Sequence, residues 1–229
     1  MQGRSRFTKV EYGVGLLAVT LLGTVACDRI SERSQITKGI SNCRQILVAL
    51  RIYASDHNGK YPDAHINGTK TANAAFRQLF EEQILDNEAI FGCPPSPFEP
   101  DGKIEDAYIG PQSTKYGKAV QAGENHWAMT AGLNDSSAGA IPVVYENPVN
   151  ATWPPKWNAD VEEKPVRGRT WKNNTVIIGT NDTAVASQPM AAKSGAAVGL
   201  KPDASSGKDA FEAAINPTTF PKGEVLDVE

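Results

Sequence analysis

Ile36-Thr37-Lys38-Gly39-Ile40-Ser41-Asn42-Cys43-Arg44-Gln45-Ile46-Leu47-Val48-Ala49-Leu50-Arg51-Ile52-Tyr53-Ala54 decides the fold. Ile36, Ile40, Cys43, Leu47, Leu50 and Ala54 recur at steps of four, three, four, three and four. That is one apolar stripe on a helix of 3.6 residues per turn. Ile46 and Tyr53 widen the stripe, while Arg33, Lys38, Arg44 and Arg51 fall on other faces. Asp56-His57-Asn58-Gly59 ends the helix, with Gly59 suited to the left-handed cap. Asp56, Asn58 and Gly59 lack the downstream Glu of a calcium loop, so this reads as a solvated cap and no metal is expected.

Upstream, no Pro interrupts the chain before Pro62, so the helix extends back toward the N-terminus. Between Glu11 and Asp28 lie sixteen uncharged residues, roughly 24 Å of helix. Arg4 and Arg6 precede this run. Three readings fit the segment. It matches a secretory signal peptide, apart from Glu11. Thr24-Val25-Ala26-Cys27 is similar to the motif before a lipidated cysteine, which makes Cys27 a candidate lipidation site. In the third reading a membrane helix starts at Phe7, runs to about Cys27 and holds Glu11 inside it; an intramembrane carboxylate is a functional candidate by default.

Residues 42–62, from Asn42-Cys43-Arg44-Gln45 through Tyr53-Ala54-Ser55-Asp56-His57-Asn58-Gly59 to Tyr61-Pro62, resemble the helix end of a type II secretion pseudopilin subgroup. Phe7, Thr8, Val10 and Glu11 resemble the mature N-terminus of type IV pilins and pseudopilins. Arg6 and Lys9 depart from that pattern, standing where the family has Gly and Leu. The resemblance covers residues 7–62 well and 72–186 loosely. It implies an α+β, pilin-like fold in which a long N-terminal helix packs on an antiparallel β-sheet. It also implies a prepilin-type leader (residues 1–6), cleavage between Arg6 and Phe7, and a Glu11 carboxylate that offsets the free amine of a neighbouring subunit. The implied function is non-enzymatic: a minor pilin or pseudopilin, exported, held in the inner membrane by its N-terminal helix, and part of a pilus or secretion filament. Its partners would be other pilin or pseudopilin subunits and the membrane. The rival class is a membrane-tethered binding protein or lipoprotein on Cys27.

The domain reading is a basic leader (1–6), a membrane or filament-core segment (7–27), a globular domain (28–187) with helix to about residue 58, and a linker-like Ala/Gly/Ser/Lys-rich tail (188–229). Strands are expected near 141–146, 166–171, 175–180 and 183–187, the middle two forming a hairpin around Lys172-Asn173-Asn174. Asn73 is expected to cap a helix from Ala74 to about Leu85.

Charge and cysteine content narrow the function. Residues 1–60 carry nine Lys/Arg and four Asp/Glu; the remaining 169 carry fourteen and twenty-two, for a net of −3. A basic N-terminal stretch suits anionic lipid, and an acidic remainder argues against nucleic acid. Cys43 and Cys93 are the cysteines outside the apolar run, and they read either as a disulfide or as two buried thiols. No zinc motif, phosphate loop, nucleophile elbow or dinucleotide fingerprint occurs, so neither an enzyme nor a cofactor is expected. His126, beside Trp127, reads as a hydrogen-bonded core residue. Arg167 and Arg169 read as solvated. Trp153 and Trp157, on a Pro-rich loop, read as cover for the sheet or as a ligand loop.

Overall fold

The computed structural model describes residues 9–66, 68–105 and 116–229, with side chains from residue 31 onward. Helix α1 (Lys9–Asp56) is followed by α2 (Ala72–Glu81), strands β1 (Trp127–Thr130), β2 (Pro142–Glu146), β3 (Thr175–Thr180) and β4 (Val185–Pro189), the short α3 (Ala210–Ala214) and strand β5 (Val225–Leu226). The fold is α+β: one five-stranded antiparallel sheet in the order β4-β3-β2-β1-β5, with helices packed on it. Among the described residues no helix is long and apolar enough to cross a membrane.

The stripe on α1 does what its spacing requires. Cys43, Leu47, Leu50 and Ala54 are buried, with Ile46 and Tyr53 beside them, and Ile36 and Ile40 are half-buried at the edge. Val48 and Ile52, on the opposite face, are 46% and 47% exposed. The helix lies across β2, β3 and β4. Two glycines set how closely it approaches. A Cβ on Gly179 of β3 would stand 2.5 Å from Leu47 Cδ1 and 2.8 Å from Cys43 Sγ; one on Gly39 of α1 would stand 2.5 Å from Ile177 Cδ1. Asn58 and Gly59 adopt positive φ, and Gly59 N–H closes on the Ala54 carbonyl at 2.8 Å, ending the helix.

Pleating divides the strands between two cores. Val144 and Ile177 face α1 and α2, together with Phe76, Phe80, Phe91, Trp127 and Trp171. Tyr145, Val176 and Ile178 face the other way, against Trp157, Met190, Val198, Leu200 and Phe211. That second core corrects the tail expectation. Residues 188–229 are not linker-like: they cover the far face of the sheet and add β5 beside β1. Their apolar side chains follow no helical or strand period, so the Ala/Gly/Ser background masks them.

Two further expectations are corrected. Residues 166–171 do not pair with β3. Gly168 takes φ +70 with its N–H on Asn147 Oδ1, and Arg169 makes only an isolated bridge to Asn158. β3 does pair with β4 through the Asn181-Asp182 turn, as the sequence pattern predicts. On α2 the capping oxygen belongs to Thr71, which accepts from Ala74 N–H. Asn73 is buried, donating to the Val120 and Gln121 carbonyls.

Leu47→Ala is expected to cost about 2–5 kcal/mol, and Gly179→Ala about 1–3 kcal/mol through overpacking. Urea denaturation at neutral pH measures both, and an unchanged midpoint for either would mean the helix does not sit against β3.

Candidate functional site

The alternation of β2 that turns Val144 toward α1 also turns Glu146, a carboxylate only 1% exposed. Burying a charge unpaired is costly, and five donors converge on this one. Oε1 accepts from His126 Nε2 (3.1 Å), Arg169 Nη2 (3.4 Å) and Cys93 Sγ (3.7 Å). Oε2 accepts from Trp171 Nε1 (3.1 Å) and the Ile177 amide (2.9 Å). The donors come from the loop after Phe91, the start of β1, the segment before β3, and β3 itself. Arg169, 2% exposed, also donates to the Pro94 carbonyl at 3.1 Å and to that of Pro95, and its guanidinium lies 4.2 Å from the Trp171 ring centroid. Prolines at 94, 95 and 97 stiffen the loop that offers these carbonyls.

Protonation follows from the geometry. Burial alone would raise the Glu146 carboxyl, but Arg169 and the His126 hydrogen bond hold it below its ordinary value, so it is ionised. An ionised carboxylate only accepts, so His126 must carry its proton on Nε2. Burial pushes the His126 imidazole down, against the pull of Glu146, and it is neutral near pH 7. Its Nδ1 is then an acceptor, and two donors reach it: Ser96 Oγ at 2.9 Å and Asn147 Nδ2 at 3.0 Å. Ser96 Oγ in turn accepts from the Phe98 amide at 3.1 Å. The Cys93 thiol is pushed well up by burial and by Glu146, so it stays protonated. The arrangement is therefore a directed proton chain, Ser96 to His126 to Glu146, with Arg169 as counter-charge.

Cys93, His126 and Glu146 place donor atoms within 4.8 Å of one another, a grouping that would suit a metal by composition. The hydrogen bonds oppose this: the His126 nitrogen facing Glu146 carries the proton, and Arg169 already supplies the positive charge. Glu88, Asp101 and Glu124 form a second such group. Both Glu88 oxygens accept backbone amides, from Gly102 and Val120, and Lys103 pairs with Asp101 at 2.7 Å.

Of the residues singled out from sequence, Arg6 and Phe7 lie outside the described residues. Glu11 and Cys27 lie on α1 with their side chains outside them. Cys43 and Cys93 are free, buried thiols, so the disulfide alternative is not the one the structure holds. Cys43 Sγ lies 3.6 Å from the Val144 carbonyl. Trp157 is no ligand platform: it is fully buried and donates from Nε1 to the Glu146 carbonyl at 3.1 Å. Trp153 is half-buried against Phe211, Phe220 and Gly223. Arg169 belongs to the core rather than to solvent, whereas Arg167 pairs at the surface with Asp227 at 2.5 Å. His126 is the hydrogen-bonded core residue expected. Ser96 and Glu146 were not singled out. One signal for Glu146 was present, a charge closing the unbroken apolar run Ile141–Tyr145; for Ser96 there was none.

Compared with protein-family models, curated proteins and solved structures, the chain matches none.

Arg169→Met leaves the Glu146 charge buried without its counter-charge and is expected to cost about 3–5 kcal/mol in urea melts at pH 7. Acidification should act in two steps. The folded His126 has a lowered pKa, so the unfolded chain takes up that proton first, and stability falls as pH drops below about 6.5. Glu146, also lowered, adds a second loss below about 4.5. Melting temperatures from pH 8 to pH 3.5 should be level at the top and decline through both windows. A curve that is flat from pH 7 to pH 5 would contradict a neutral buried His126.

Proposed function

We propose that this chain is a pilin-like structural subunit, a minor pilin or pseudopilin of a type IV pilus or type II secretion filament. The observation that carries the reading is the 48-residue helix α1, about 72 Å long, whose second half packs through one stripe onto an antiparallel sheet. Its first half bears Glu11 ahead of the uncharged run 12–27. One continuous helix thus joins a sheet-packed domain to a segment with the composition of a membrane or filament core. The resemblances at residues 7–11 and 42–62 support the same reading.

In this reading the protein is exported and held in the inner membrane by residues 7–27, and its partners are other subunits of the same kind. A carboxylate in a water-free filament core must find a cation or protonate. The cations available to Glu11 are a neighbour's free N-terminal amine and Lys9. Extraction from the membrane then exchanges lipid around residues 7–27 for the helices of neighbouring subunits.

Glu11→Ala is expected to leave the exported domain folded and membrane-held but to lower its incorporation into sheared filaments by tenfold or more, about the 1.4 kcal/mol that one lost charge pair readily exceeds. Quantitative immunoblots of filament and membrane fractions measure the ratio, and equal incorporation of variant and wild type would refute the role of Glu11. Mass spectrometry of the mature N-terminus separates the two tethering chemistries: Phe7 as first residue supports the pilin, and a lipidated Cys27 the rival.

A further inference from the structure

A surface cleft of about 440 Å³ runs beside α1 and opens onto the buried network. Ala89, Pro94, Pro95, Phe98 and Pro100 give it apolar walls, Lys38 and Glu99 supply one charge of each sign, and Cys93 and Ser96 also line it. Ser96 is 9% exposed, while His126 and Glu146 behind it are each 1% exposed.

We infer that Ser96, His126 and Glu146 form an acyl-transfer triad that opens onto this cleft and hydrolyses small uncharged carboxylic esters. The inference does not rest on the assembly reading, which uses other residues. Three geometric requirements of a triad are met. The nucleophile is bonded to the base, Ser96 Oγ to His126 Nδ1 at 2.9 Å. The base is bonded to an orienting carboxylate, His126 Nε2 to Glu146 Oε1 at 3.1 Å. The nucleophile borders a cleft that substrate can enter. The proton positions are forced rather than chosen: the carboxylate fixes the proton on Nε2, so Nδ1 is an acceptor, shared between Ser96 Oγ at 2.9 Å and Asn147 Nδ2 at 3.0 Å, and Asn147 Nδ2 also donates to the His126 carbonyl. The ring is inverted relative to the commoner arrangement in which the serine meets Nε2, but the roles follow from the bonds and not from which nitrogen makes them.

Competing assignments fit less well. Cys93 borders the same cleft, but its thiol stays protonated beside Glu146 and is a poor nucleophile. The Phe98 amide occupies a lone pair of Ser96 Oγ and so aims the hydroxyl proton at His126. The balanced charge and apolar walls of the cleft favour a neutral ester over a phosphate or an amine, and its volume admits a short acyl chain rather than a polymer.

The chemistry balances with water as the only co-reactant. Ser96 Oγ bonds to the ester carbonyl carbon, and its proton passes to His126 Nδ1. The imidazolium is held by the Glu146 carboxylate. The tetrahedral oxyanion collapses, the bond to the alcohol oxygen breaks, and His126 returns the proton to the departing alkoxide. Water then attacks the acyl-serine by the same route, releasing the carboxylic acid and restoring Ser96. Lys38 is the cation on the cleft wall available to the developing oxyanion.

The test treats the full chain, purified in mild detergent, with diisopropyl fluorophosphate and locates adducts by peptide mass spectrometry. One diisopropylphosphoryl group on Ser96, with release of fluoride, is the expected result; no adduct at Ser96 overturns the inference. The labelling rate should rise with pH and be level above neutrality, because burial holds the His126 imidazole below its ordinary value. A rate that climbs tenfold per pH unit through pH 9 marks an unassisted hydroxyl and also overturns it. Hydrolysis of p-nitrophenyl acetate should vanish in Ser96→Ala that keeps the wild-type circular dichroism spectrum, and unchanged turnover refutes the triad. His126→Gln should label about a hundredfold more slowly. Should that variant fail to fold, the wild-type pH profile decides.

Discussion

The buried carboxylate of Glu146 is the constraint on which the rest of the structure depends. Ionised, it must be surrounded by donors, and the chain meets that demand from four separate segments. Each donor group is thereby pinned: the Pro-rich loop through Cys93 and Arg169, the entry to β1 through His126, the segment before β3 through Trp171, and β3 through the Ile177 amide. Apolar packing alone would tolerate sliding among these parts. A buried carboxylate held by five donors does not, because any shift leaves the charge without partners; Arg169 Nη1 is the one guanidinium nitrogen here that is buried with no hydrogen bond.

Around this centre the helix and sheet fit by contour. Gly39 and Gly179 remove side chains where α1 would otherwise ride too high, and Leu47 and Cys43 fill the space they leave. Cys43 thus serves as a small apolar side chain, its thiol pushed up by burial and by Glu146. The exposed pair Val48 and Ile52 lies on the far side of the same helix, where nothing among the described residues covers it.

The part of the fold built from local periodicity was legible in the sequence. The stripe from Ile36 to Ala54, the turn at Gly59, and the strands expected near 141–146, 175–180 and 183–187, found at Pro142–Glu146, Thr175–Thr180 and Val185–Pro189, all announce themselves by spacing. What escaped depends on distant pairing. Residues 166–171 are extended by composition, but Gly168 and the demands on Arg169 take them away from the sheet. Val198, Leu200, Phe211 and Val225 are core residues scattered through a polar, small-residue background, and only the far face of the sheet gives them a common destination. The site was less legible still. Ser96, His126, Glu146 and Arg169 span more than seventy residues with no shared motif, and a glutamate at a strand end or an arginine beside a glycine ordinarily meets water. Their meaning comes from the pleat of β2, which points Glu146 inward.

The placement of the tryptophans gives this molecule an optical character of its own. Trp127, Trp157 and Trp171 are sealed from solvent, and only Trp153 touches water. Two of the sealed indoles donate to Glu146, one to its carbonyl and one to its carboxylate, and the third meets the His126 ring edge-on at 5.1 Å. The ultraviolet emission of the folded chain is therefore blue-weighted and governed by the local field of one charge cluster. Charging the imidazole or neutralising the carboxylate alters that field at all three chromophores at once, so the colour and intensity of the light report the electrostatic state of the interior without any label.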